Sequence, residues 1–212
     1  MSKILRFVVW TLIIGGALVG LLRLTAIRWW QVPLGDPYLE ASLEPTLHGG
    51  DWIILWRATA PLEGNLVLCP EPQAPQRQVI GRIVAESSDH VQVAGEVVIV
   101  NNRSFETESS CDKFSTKDPA TGMDTQQGCR REVVGGVTHQ RGDLNPTLPR
   151  PADATTDVPP GNVYLVSDNR LFPWDSREFG VVPRATCSET IVFRLVSKDG
   201  FFDVANRLTL IR

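Results

Sequence analysis

Lysine is scarce in this chain: there are four, at Lys3, Lys113, Lys117 and Lys198. The 21 Lys+Arg are scattered and outnumbered by 24 Asp+Glu, giving a formal net charge of −3. A nucleic-acid partner would show as a basic face or stripe; none is present, and that class is set aside. The four cysteines, Cys69, Cys111, Cys129 and Cys187, form no CxxC pair, which removes the usual signature of a zinc or thioredoxin-like site. Nothing else in the sequence asks for a metal or a cofactor, and none is expected. Internal repeats and low-complexity tracts are missing too. A length of 212 residues bounds the answer to one sizeable domain, with or without an inserted subdomain.

What is present begins with sixteen uncharged residues, 7–22 (FVVWTLIIGGALVGLL), between Lys3 and Arg6 on one side and Arg23 and Arg28 on the other. With the arginine side chains snorkelling, the span 4–28 reaches the roughly 20 residues that a bilayer core requires. Trp29 and Trp30 follow at interface depth, where indole rings are favoured. A cleavable signal peptide would need a small-x-small site after the apolar stretch, and LLRLTAIRWW offers a poor one, so an uncleaved anchor is expected. The flanking charges tie and do not orient the span. The cysteines break the tie: four well-separated thiols behind an anchor fit two disulfides in an oxidising compartment, with four free thiols as the alternative. The bulk of the chain is therefore expected outside the cytoplasm.

Beyond the anchor, runs rich in β-branched and aromatic residues at 51–56, 65–68, 78–84, 90–93, 96–100, 162–166 and 189–195 predict strands. Strands this frequent, with no helical stripe between them, imply a mainly β fold closed into a barrel or sandwich. The stretch after residue 102 differs, being polar and rich in Gly, Pro, Thr and Asp. A structureless loop of that length is unusual, so 103–157 is read as an inserted polar subdomain within a β domain built from 36–102 and 158–212. Cys111 and Cys129 bracket its first part, and a bridge between them would be worth roughly 3 kcal/mol in the chain-entropy model. Cys69 and Cys187 lie at strand ends and are candidates for a second bridge, although four cysteines allow three connectivities.

Three blocks carry chemistry. Ser42-Leu43-Glu44-Pro45-Thr46-Leu47, followed by Gly50-Asp51, comes just after the anchor. A strand-like block, 79–91 (VIGRIVAESSDHV), places Arg82 and Asp89 ahead of Val97-Val98-Ile99-Val100-Asn101. The third runs Val158-Pro159-Pro160-Gly161, a strand, Ser167-Asp168-Asn169-Arg170, then Asp175-Ser176-Arg177 and Phe179-Gly180. In this order the blocks resemble those of the bacterial type I signal peptidases, the serine/lysine-dyad family, over essentially the whole chain. The resemblance implies removal of signal peptides from exported proteins by a serine nucleophile, with a lysine as general base. A serine hydroxyl attacks poorly until its proton is taken, and a lysine neutralised by an apolar setting can take it.

On this resemblance Ser42 takes the nucleophile position, and the base should immediately precede Arg82. That residue is Gly81. Arg82 cannot substitute, because a guanidinium stays protonated. His48 and His90 titrate in a useful range but lie in turns outside the expected base strand. Glu86 and Asp89 are read as turn residues. The family's turn carries a serine that supports the lysine, and here Pro173 stands in its place within Leu171-Phe172-Pro173-Trp174. The first glycine of that motif has become Ser167.

The resemblance therefore implies a degenerate, non-catalytic homologue, acting as an accessory or structural subunit or as a peptide-binding partner in a membrane assembly. The alternatives are an active signal peptidase with an unidentified or borrowed base, and an extracytoplasmic module that binds no peptide. The expected partners are the lipid bilayer, and a membrane complex or exported proteins bearing signal peptides. The expected place is the bacterial inner membrane, crossed once, with the main domain facing the periplasm. Arg82, Asp168, Asn169, Arg170, Asp175, Ser176 and Arg177 are read as scaffold, with opposite charges close in sequence pairing to fix the turn. The apolar turn 171–174 is either buried or an exposed patch for lipid or a partner.

Overall fold

A computed structural model describes residues 3–212 of the chain. Helix α1 (Lys3–Thr25) is apolar all round and has no buried residue. Among the described residues it is the one helix long and apolar enough to cross a membrane. A helix is suited to hydrocarbon because every backbone bond is made within the segment. The chain then turns at once into strand β1 (Ile27–Gln31). Ile27 and Arg28 thus belong to the sheet. Trp29 is exposed beneath the Arg23 guanidinium, which lies 4.5 Å from its ring centre, as an interfacial indole would be. Trp30 departs from that expectation, because it packs on the core.

A short helix, α2 (Pro37–Leu43), precedes β2 (Trp52–Trp56), β3 (Leu66–Pro70), β4 (Gln78–Ala85), β5 (His90–Ala94) and β6 (Val97–Val100). Each of these strands begins and ends within two residues of a β-branched run read from the sequence. The polar stretch holds β7 (Arg103–Ser104), β8 (Glu106–Lys117), β9 (Asp124–Val134), β10 (Val137–Gly142) and β11 (Ala154–Asp157). The last segment runs through β12 (Asn162–Val166), α3 (Ser176–Phe179), β13 (Val182–Pro183), β14 (Glu189–Val196) and β15 (Thr209–Leu210).

The fold is mainly β. A curled half-barrel sheet has the order β1-β2-β14-β3-β4-β12-β13, with β15 added beside β14. Strands β10-β9-β8 form a separate sheet, and β11-β5-β6-β7 a third. Period-two alternation puts Leu66 and Leu68 of β3 on one face with Leu39, Leu43 and Leu47. Val67 and Cys69 face the other way, with Val79, Ile83, Val163, Leu165 and Phe179. Strand β4 is covered on both faces, supplying Ile80 to the first cluster and Val79 and Ile83 to the second. Central strands buried on both sides read as near-continuous apolar runs, which is why β4 was legible.

All four cysteines are paired, Cys69 with Cys187 and Cys111 with Cys129. The first bridge ties β3 to the entrance of β14, inside the second core cluster. The second is a cross-strand pair between β8 and β9. In the chain-entropy model a long loop is worth more than a short one. Replacing Cys69 and Cys187 by alanine should lower stability in chemical denaturation by about 4–5 kcal/mol, against about 3 kcal/mol for the Cys111/Cys129 pair. The reverse order would show that the half-barrel does not depend on its own bridge.

Candidate functional site

Ser42 sits on α2, and the sequence builds that helix locally. Asp36 is the N-cap, its carboxylate accepting from the Leu39 N–H at 3.2 Å, and Pro37 occupies the first helical turn. Leu39 and Leu43 anchor the helix in the first core cluster. Ser42 is fully buried. Its Oγ donates to the Leu39 carbonyl at 2.8 Å, and its own carbonyl accepts from the Asn169 N–H at 3.1 Å.

Gly81 lies on β4 between Val79 and Ile83, facing the second core cluster. A Cβ built there would stand 2.9 Å from the Leu165 Cβ, closer than packed carbons tolerate. The space a side chain at residue 81 would enter is therefore filled by Leu165 of β12. Glycine is required here by close approach rather than by backbone conformation.

No amine or imidazole bonds to the Ser42 hydroxyl among the described residues. Lys113, Lys117 and Lys198 are exposed, and Lys3 starts the apolar helix α1. His48 has Nδ1 4.0 Å from the Asp51 carboxylate, with burial holding its pKa down. The half-buried His90 contacts Asp157 at 2.6 Å and Gln92 at 3.2 Å. The third histidine, His139 on β10, lies in the polar stretch outside every motif, so no sequence signal marks it. Its ring is completely buried, and neither nitrogen makes a hydrogen bond.

His139 instead faces a buried charge network. Arg82 donates through Nε and Nη2 to both oxygens of Asp168, at 2.9 and 2.8 Å, and through Nη1 to the Gly64 carbonyl. Thr46, of the Ser42 loop, donates its hydroxyl to Asp168 at 2.6 Å. His139 Nε2 lies 3.6 Å from both Asp168 and Glu132. Glu132 in turn pairs with Arg170 and Arg141. Burial pushes the Asp168 carboxyl up, but Arg82, His139 and Thr46 outweigh it and hold it below the ordinary range. Burial, reinforced by Arg82, drives His139 down to about 3.

Asp168 thus pairs with Arg82 and Arg170 with Glu132, rather than with each other as their closeness in sequence suggested. Only Asp175 and Arg177 pair locally, at 2.7 Å. Asp175 also caps α3 and accepts from the Ser167 N–H at 2.8 Å, while Ser176 Oγ accepts from the Leu165 N–H at 2.9 Å. Asn169 Oδ1 accepts from the N–H groups of Leu171 and Phe172, and its amide pairs reciprocally with Gln127. Ser167 Oγ accepts the Trp174 backbone N–H at 3.1 Å and so helps close the turn. The apolar turn is packed inward, with Leu171 buried and Phe172, Pro173 and Trp174 half-buried.

The chain matches the family model for signal peptidase, peptidase S26, over residues 4–196. It belongs to that family. No curated protein matches the sequence. For a signal peptidase homologue, the geometry is that of an intact scaffold around a serine turned into its own helix.

Two outcomes follow from this geometry. Gly81→Ala should cost about 1–3 kcal/mol by overpacking. Because the clash is with the Leu165 Cβ, it should persist in a Leu165→Ala background and ease only with Leu165→Gly, a coupling read from double-mutant cycles of melts. A neutral Gly81→Ala would show that Leu165 gives way freely. For His139, the fold keeps the neutral ring, so between about pH 3 and 6.5 the unfolded chain holds the extra proton. This stability is complete above pH 6.5 and is lost at roughly 1.4 kcal/mol per pH unit as pH falls through that window. His139→Gln should flatten the acid limb of a denaturation series by about one proton. An unchanged slope would mean that the buried ring already carries its charge.

Proposed function

We propose that this signal peptidase homologue is non-catalytic and serves as a membrane-anchored accessory or structural subunit. The observation that carries the reading is Ser42 itself: a buried hydroxyl, committed to the Leu39 carbonyl, with no lysine or histidine among the described residues bonded to it. A nucleophile must meet substrate and lose a proton, and this one is set up for neither. Gly81 adds support, since Leu165 fills the volume a lysine would need. Pro173 offers no hydroxyl to such a lysine. Borrowing a base from a partner chain would require that chain to reach an oxygen with no exposed surface.

The anchor supports a place in an assembly. Gly16 and Gly20 of α1 are four apart with open space beside both, the spacing at which membrane helices pack closely. We place the protein in the bacterial inner membrane, crossing once through 4–28, with the β domain on the periplasmic side. The two disulfides support an oxidising compartment. We treat 103–157 as a subdomain inserted in the domain formed by 36–102 and 158–212, on the strength of the separate sheet of β8, β9 and β10.

The test is a cleavage assay. Detergent-purified protein incubated with a preprotein should release no mature product, and Ser42→Ala should behave identically. Processing by the unaltered chain that disappears in Ser42→Ala would overturn the reading.

A further inference from the structure

The half-barrel and the sheet of β8, β9 and β10 meet around a cavity of about 390 Å3. Its walls come from both: Arg131 of β9 with Thr138 to Gln140 of β10 from one sheet, Arg194 of β14 with the tail around β15 from the other. The loop after α2 contributes Pro45 and Thr46.

The charge on these walls has one sign. Arg131, Arg194 and Arg212 line the cavity, and no aspartate or glutamate does. Arg194 has a counter-ion of its own, its Nη1 bonding Asp51 at 3.0 Å while Nε donates to the Thr209 hydroxyl at 3.2 Å. Arg131 donates to the Ser109 hydroxyl at 3.3 Å and pairs with no carboxylate among the described residues. Arg212 gives its carbonyl to Arg82, and its guanidinium pairs with none among them either. Like charges around a half-enclosed space repel, and an anion between them turns that repulsion into attraction. The same wall holds His139, a wholly buried ring with neither nitrogen hydrogen-bonded. Such a group is costly unless something enters to bond it. The carboxylates nearest to it, Asp168 and Glu132, are already neutralised by Arg82 and by Arg170 and Arg141.

The donor set names the anion. Guanidinium forks match phosphoryl oxygens two at a time, and the Thr138 hydroxyl and Gln140 amide add further donors. A carboxylate brings two oxygens and one charge. A phosphate monoester brings three terminal oxygens and nearly two charges, the better match to three cations. A cavity of this size takes more than a bare ion, and Pro45, Leu210 and Ile211 offer an apolar side to a small organic group. We infer that the cavity binds a phosphate ester, from a lipid head group or in soluble form, and that the ligand clamps β9 and β10 to β14 and β15. The inference does not depend on whether Ser42 does chemistry.

Two arms of one experiment read the site and tell the sources apart. The full chain in a non-ionic detergent is titrated with glycerol 1-phosphate in a calorimeter, and melted in mixed micelles with and without phosphatidic acid. Arg131→Gln and Arg212→Gln remove exposed side chains, and the second keeps the carbonyl that Arg82 uses, so ligand-free melts should be unchanged. Each should weaken glycerol phosphate binding roughly tenfold, the worth of a hydrogen bond to a charged group, or abolish the rise in melting temperature given by phosphatidic acid. Arg103→Gln, an equal loss of charge on the separate strand β7, should change neither. If one of the two cavity variants fails to fold, the other decides. A response in one arm that these variants remove supports the proposal and names the source. No response in either arm, one that survives both variants or falls equally with Arg103→Gln, or one that acetate matches at the same ionic strength would overturn it.

Discussion

Burying an arginine and an aspartate costs several kcal/mol per ion unless each is neutralised and hydrogen-bonded. Arg82 and Asp168 are 1% and 2% exposed, and meeting their demands organises the molecule around them. The guanidinium uses both Asp168 oxygens, the Gly64 carbonyl and the Arg212 carbonyl. The carboxylate takes the Thr46 hydroxyl besides. Strand β4, the turn after β12, the loop after α2, the loop before β3 and the last residues of the chain are thereby fixed to one point. Because Thr46 lies four residues past Ser42 and Asn169 N–H bonds the Ser42 carbonyl, the helix carrying the serine is positioned by the same pair.

This separates scaffold from chemistry in physical terms. The ion pair, the Asp175–Arg177 pair and the Asn169–Gln127 amide pair are each satisfied without any reference to a reaction. A family member can lose its base while these remain, provided the vacated volume is refilled. In this chain Leu165 fills the space beside Gly81, and the Ser167 hydroxyl accepts the Trp174 backbone N–H. A lysine restored at residue 81 would meet a Leu165 side chain already in its path.

Legibility followed the strength of each local signal. The apolar run of α1 and the β-branched runs of β2 to β6, β12 and β14 could be read because burial on one or both faces writes itself into the residue pattern. The strands of the polar stretch could not. β8 runs for 12 residues with Thr116 its one buried member, so it is held by backbone pairing and the Cys111–Cys129 bridge with almost no apolar signature. β1 was hidden because Ile27 to Trp30 serve equally well as the end of an anchor or as a strand. The partners of Asp168 and Arg170 were hidden for a different reason. Arg82 is 86 residues from the first and Glu132 is 38 from the second, and sequence proximity favoured the wrong pairing.

On the non-catalytic reading the serine at residue 42 needs an explanation other than catalysis, and the helix supplies one. The position is wholly enclosed, one residue from Leu43 in the core and joined through its carbonyl to Asn169. A larger side chain would find no room. A serine fits, and its hydroxyl finds an acceptor in the preceding turn, so no polar group is left unsatisfied. The same enclosure that makes serine acceptable here leaves its hydroxyl no exposed surface. An intact nucleophile motif is therefore weak grounds for activity when its hydroxyl is buried and already bonded to its own helix.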